Sequence, residues 1–102
     1  MTLSAFRQWL TAIDPAATQY HAATAGNCTV WAEYKRIPAY ADGVNQGGWK
    51  VQIDRYTTQD DDPVAERIAE AIEASETIAA EHIVDYDADT GLIRHLFDCE
   101  VW

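Results

Sequence analysis

The hydrophobic positions change period along the chain, and each change marks an element. Leu3, Phe6, Leu10 and Ile13 recur at helical spacing, with Trp9 beside them and Arg7, Gln8 and Thr11 elsewhere on the wheel, so the chain opens on an amphipathic helix. Asp14-Pro15 stops it, because the residue before proline is pushed out of the helical region. The Ala/Thr/Gly/Asn-rich stretch to Asn27 has no clean period and reads as loop, with or without an added helical turn. From Cys28 to Lys35 the sequence CTVWAEYK is β-branched and aromatic and predicts a strand, Val30, Ala32 and Tyr34 on one face and Trp31 and Glu33 on the other. Ile37 to Gly48 carries Pro38, Asp42-Gly43, Asn45 and Gly47-Gly48, a long hairpin connection. Trp49 to Thr57 then alternates Trp49, Val51 and Ile53 against Lys50, Gln52 and Asp54, the period of a strand solvated on one face.

Gln59-Asp60-Asp61-Asp62-Pro63 reads as a helix start, with Asp62 as N-cap and Pro63 in the first turn. The neighbouring carboxylates favour the positive end of the helix dipole, which gives the acidic run a structural explanation. Behind it Val64, Ile68 and Ile72 step by four, with Glu66, Glu70 and Glu73 turned outward. After Ser75 the segment Ala80–Tyr86, the turn Asp87-Ala88-Asp89-Thr90-Gly91 and the alternating run Leu92–Val101 predict a second hairpin. Ile93, His95, Phe97, Cys99 and Val101 share one face of its last strand. Helix, hairpin, helix, hairpin is an α+β order: one mainly antiparallel sheet with helices packed against it.

A length of 102 residues fits one domain, 1–102, and 11 aromatic residues within 48% hydrophobic content imply a folded core. The formal net charge of −10 removes the basic footprint expected of a sequence-specific nucleic-acid binder. It suits a soluble surface, or one that repels DNA. No apolar run approaches the ~18 residues of a membrane span, and the N-terminus mixes Arg7, Gln8 and Asp14 into its apolar positions, so neither membrane insertion nor secretion is expected. Cys28 and Cys99 then read as reduced packing groups in a cytosolic protein.

Few positions carry recognisable chemistry. Asp85-x-Asp87-x-Asp89 has the alternation of a calcium loop, but Thr90 and Leu96 stand where the EF-hand pattern needs Gly and Glu. His21, His82, His95 and the two cysteines lack zinc spacing. His95 is either a strand histidine hydrogen-bonded at the core edge or half of an acid-base pair with Glu81 or Glu100. Gly47-Gly48 lacks the Lys-Ser/Thr of a phosphate loop, and no serine sits in a nucleophile elbow. The expectation is a protein with no catalytic residues, no metal and no cofactor.

Val51-Gln52-Ile53-Asp54-Arg55-Tyr56-Thr57-Thr58, Asp61-Asp62-Pro63-Val64 opening a helix, and Tyr86-Asp87-Ala88-Asp89-Thr90-Gly91-Leu92-Ile93-Arg94-His95 follow one another in an order that resembles the tail terminator (minor capsid, tail completion) proteins of siphophages and prophages. Those typically show a VQVDxFT strand, a helix and a DTGxxH hairpin. The likeness spans roughly residues 28–102. Arg55 stands where the pattern usually has an apolar residue, which leaves open the face on which that strand ends.

The resemblance implies a structural virion protein, made in the host cytoplasm. It would form a ring, commonly of six subunits, that caps the tail tube, stops its growth and docks on the head connector or stopper, with DNA later passing through. A head-completion protein of the same neck region and a stand-alone binding or inhibitory domain are the alternatives. Subunit and partner contacts need surface aromatics and free sheet edges, so the candidates are Tyr40 and Asp42 in the long connection together with Trp31, Trp49 and Trp102. Core filling is the competing use of the tryptophans.

Overall fold

The computed structural model describes residues 1–22, 24–39 and 47–102. Its elements are α1 (Leu3–Ile13), β1 (Thr18–Gln19), β2 (Cys28–Ile37), β3 (Gly48–Thr57), α2 (Pro63–Ala74), β4 (Ile78–Asp87) and β5 (Leu92–Val101). The fold is α+β, with one five-stranded sheet of order β1-β2-β3-β5-β4. All pairings are antiparallel except that of β1 with β2. The sequence gives no strand signal for β1: two residues are too few for a period, and the pair forms by running beside Val30 and Trp31.

Both hairpins form, but the second does not simply follow the first. β5 lies between β3 and β4, so β3, α2 and β4 make a crossover in which β4 runs parallel to β3 with β5 between them. That crossover carries α2 across one face of the sheet. Thr2 caps α1 by accepting from the Ala5 N–H, and Asp62 caps α2 by accepting from the Ala65 N–H.

Helices on one face make the alternation legible as burial. Val51, Ile53, Phe97, Cys99 and Val101 face the helices and are buried with Phe6, Leu10, Trp31, Ile68, Ile72 and Ile78. The residues between them in β3 and β5 face away and are only half-buried. Trp31 is the largest buried side chain; it meets Phe6 edge-on with ring centroids 5.1 Å apart. Between Glu33 and Lys35 the register of β2 on β3 slips by one residue, a bulge that leaves Tyr34 as the extra residue.

Element lengths decide what remains uncovered. Ten-residue strands run ~33 Å, whereas the 12 residues of α2 span ~18 Å. The sheet therefore outreaches its helices, and the molecule measures 48 × 23 × 22 Å. Every residue from Glu81 to Gly91 is exposed. No helix among the described residues is long and apolar enough to cross a membrane.

Candidate interaction surfaces

On the helix side, polar residues are organised as structure. Arg55 occupies the inward position after Val51 and Ile53 and is 8% exposed. Its Nε donates to Asp62 Oδ2 at 2.9 Å, its Nη2 to Asp62 Oδ1 at 3.3 Å and its Nη1 to Thr29 Oγ1 at 3.3 Å, and Asp14 lies 3.7 Å away. Thr57 Oγ1 also donates to Asp62 at 3.2 Å. One guanidinium thus ties the end of α1, β2, β3 and the start of α2. Burial alone would hinder ionisation of Asp62, but the donors from Arg55, the Ala65 N–H and Thr57, with the Arg55 charge, outweigh it and hold the carboxyl below its ordinary range. Arg55 is thereby a buried strut, and the strand end keeps its inward face.

His95 meets neither Glu81 nor Glu100. Those two alternate onto the opposite face of the sheet, and the partner of His95 is His82, Nε2 to Nδ1 at 2.9 Å. His82 also stacks on Phe97, its direct cross-strand partner, with ring centroids 4.2 Å apart. Burial, then the neighbouring His95, lowers the His82 pKa from its ordinary 6.5. Cys99 is fully buried, and burial followed by the nearby Asp98 charge pushes its thiol up to about 12, so it is a packing group; Cys28 is also free.

The calcium-like aspartates have other work. Asp85 receives both Nε and Nη2 of Arg94, at 3.1 and 2.6 Å, and Asp87 accepts from the Asp89 N–H in the turn. Gly91 closes that turn at φ +73, a left-handed conformation natural to glycine.

Among the described residues the far side of the sheet carries no helix. Asp54, Glu81, Asp85, Asp98 and Glu100 project there by register, against Lys35, Lys50 and Arg94. Lys50 pairs with Glu100 at 3.3 Å, and the Tyr34 hydroxyl reaches across β3 to Asp98, which pushes its pKa up to about 12. A shallow hollow of about 390 Å³ lies on this face, lined by Tyr20, Tyr34, Gln52, Asp54 and Tyr56 among others. Tyr20 adopts φ +75, a strained conformation for a bulky residue, and its hydroxyl bonds Glu33.

The chain matches no protein-family model and no curated protein. Its interaction surfaces therefore rest on geometry. Among the described residues no strand lies beside the outer edge of β4 over its ten residues, and Ile83, Val84 and Tyr86 on it are 45%, 55% and 65% exposed. An unpaired edge carrying exposed apolar groups is a ready site for another strand.

Of the expected contact residues, Trp31 is 2% exposed and belongs to the core, so it is unavailable as a surface contact. Trp49 and Trp102 come together at one end of the sheet with Met1, Leu3 and Ile37 around a hollow of about 520 Å³, and the Arg36 guanidinium covers the Trp49 ring at 5.1 Å. Both tryptophans remain partly accessible. Tyr40 and Asp42 lie outside the described residues. The β4 edge was not among the sequence candidates, although its signal was available: Ile83-Val84 and Tyr86 put apolar groups on both faces of one strand, which a strand covered on one side does not need.

Proposed function

We propose that this chain is a structural subunit of the neck of a long-tailed phage or prophage, forming a ring on the head-proximal end of the tail tube that ends tube growth and joins tail to head. The order VQIDRYTT, DDPV, YDADTGLIRH is the observation that carries this assignment. In the fold these stretches are β3, the start of α2, and the β4–β5 hairpin, three consecutive parts of one crossover. A sheet with a free long edge is also the kind of surface from which a small domain builds assemblies. On this reading the chain holds partners and carries out no reaction.

The test is deletion of the gene from its phage or prophage, followed by electron microscopy of the tails. Overlong tubes, restored to normal length by supplying the chain, are expected. Tubes of normal length overturn the assignment; if they stand beside unjoined heads, the chain belongs to another component of the neck.

A further inference from the structure

We infer that copies of this chain join head to tail through the two ends of the sheet, Lys35 on β2 of one copy seating against the carboxylates at the β4 edge of the next. The proposal deepens the ring reading and rests on it only for closure into a ring.

The geometry begins with which edges are free. β4 ends the sheet on one side. On the other, β1 pairs with β2 only at Val30 and Trp31, so among the described residues no strand flanks the outer edge of β2 from Tyr34 to Ile37. The two free stretches lie at the same level: Lys35 is opposite Lys50, Lys50 opposite Glu100, and Glu100 opposite Ala79, one row straight across the sheet. Their directions also fit. β2 is antiparallel to β3, and β3 runs parallel to β4, so a neighbour added without turning the sheet over lays its β2 antiparallel to β4.

Charge then selects the pairing. Lys35 shares the uncovered face with Lys50, Glu100 and Ala79, since residues opposite one another in a ladder point to the same side. Next to the β4 edge the small side chains of Ala79 and Ala80 leave a hollow of about 270 Å³, lined also by Lys50, Glu81, Asp98 and Glu100. Three carboxylates there face a single ammonium, which Glu100 already engages. Glu81 has no ion pair among the described residues, and neither does Lys35.

Within one copy, the row sets Lys35 directly across from Lys50, a like-charge pair that works against the sheet. The carboxylates around a neighbour's Ala79, at the next position of the row, would offset it. Joining two β4 edges would instead bring Glu81 near its own copy, and joining two β2 edges would bring Lys35 and Arg36 near theirs. Opposite charge therefore favours two different edges meeting, a heterologous contact that propagates and can close on itself.

The test uses the full chain and its variants Lys35→Glu and Glu81→Lys, with mass measured by sedimentation and native mass spectrometry at low salt up to millimolar protein. Both residues are exposed, so circular dichroism should match the unsubstituted chain. Each variant alone is expected to associate at least about tenfold more weakly, and an equimolar mixture to recover association because each supplies the charge the other lost. Variants that associate like the unsubstituted chain, or a mixture that recovers nothing, overturn the contact while leaving the tube-ending role to the deletion test. A chain that stays monomeric throughout overturns the contact as well.

Discussion

Arg55 illustrates how one residue is fixed by both periodicity and charge. Its parity with Val51 and Ile53 sends it inward, and a buried guanidinium is tolerable only with carboxylates around it, which Asp62 and Asp14 supply. Arg55→Met should cost about 3–5 kcal/mol in urea denaturation at neutral pH, because it strands Asp62 in the interior. The pH dependence follows from the sign of the Asp62 shift. Its folded pKa lies below the ordinary 3.8, so the stabilisation is complete above that value and disappears as pH falls through the folded one. The gap between the two proteins should thus be widest near neutrality and narrow in acid, where a protonated Asp62 no longer needs the guanidinium. A gap that stays constant across that range would show the cluster to act through packing alone.

At the scale of elements, the chain announces whatever depends on neighbours in sequence and hides what depends on neighbours in space. α1, both long hairpins and the Asp62-Pro63 start of α2 could be read because caps, turns and periods are local. The insertion of β5 between β3 and β4 could not, since no residue pattern encodes strand order. β1 was invisible for want of length. The His82–His95 pair was within reach: once Asp87 is set opposite Leu92, the hairpin brings the two rings to the same face on diagonal positions. Tyr34 as a bulge was not, because an alternating run looks the same whether or not it slips.

Gly48 marks a further spatial constraint. A Cβ there would sit 2.1 Å from the Val101 carbonyl oxygen and 3.1 Å from the Trp102 ring, so only glycine lets β3 begin beside the end of β5. Gly48→Ala, which in an unconstrained position would stabilise by restricting the unfolded chain, should here destabilise by about 1–3 kcal/mol. Thermal unfolding would detect this, and a stabilised variant would mean that the two strand ends lie farther apart.

The whole molecule has two unlike sides, and their difference is what an assembly would use. Helices cover one, and the other presents Asp54, Glu81, Asp85, Asp98 and Glu100 against Lys35, Lys50 and Arg94. Joining the sheet edge to edge would keep that acidic side facing the same way in every copy, toward either the axis or the exterior of a ring. If it lines the passage, its carboxylates outnumber Lys35, Lys50 and Arg94, and Glu100 and Asp85 already pair with two of these cations, so the net field repels phosphates and the genome slides without adhering. Asp54 is the informative position, because it lies on this side, outside the Lys50–Glu100 and Arg94–Asp85 pairs and outside the hollow at the β4 edge. Asp54→Lys should leave tails assembled but slow DNA ejection severalfold at low salt, an effect that weakens as salt is raised because each new phosphate contact is an exchange of counterions. Ejection timed by dye release from purified particles supplies the measurement. Unchanged rates with intact tails would place the acidic side on the outside of the ring, where its charge would serve solubility.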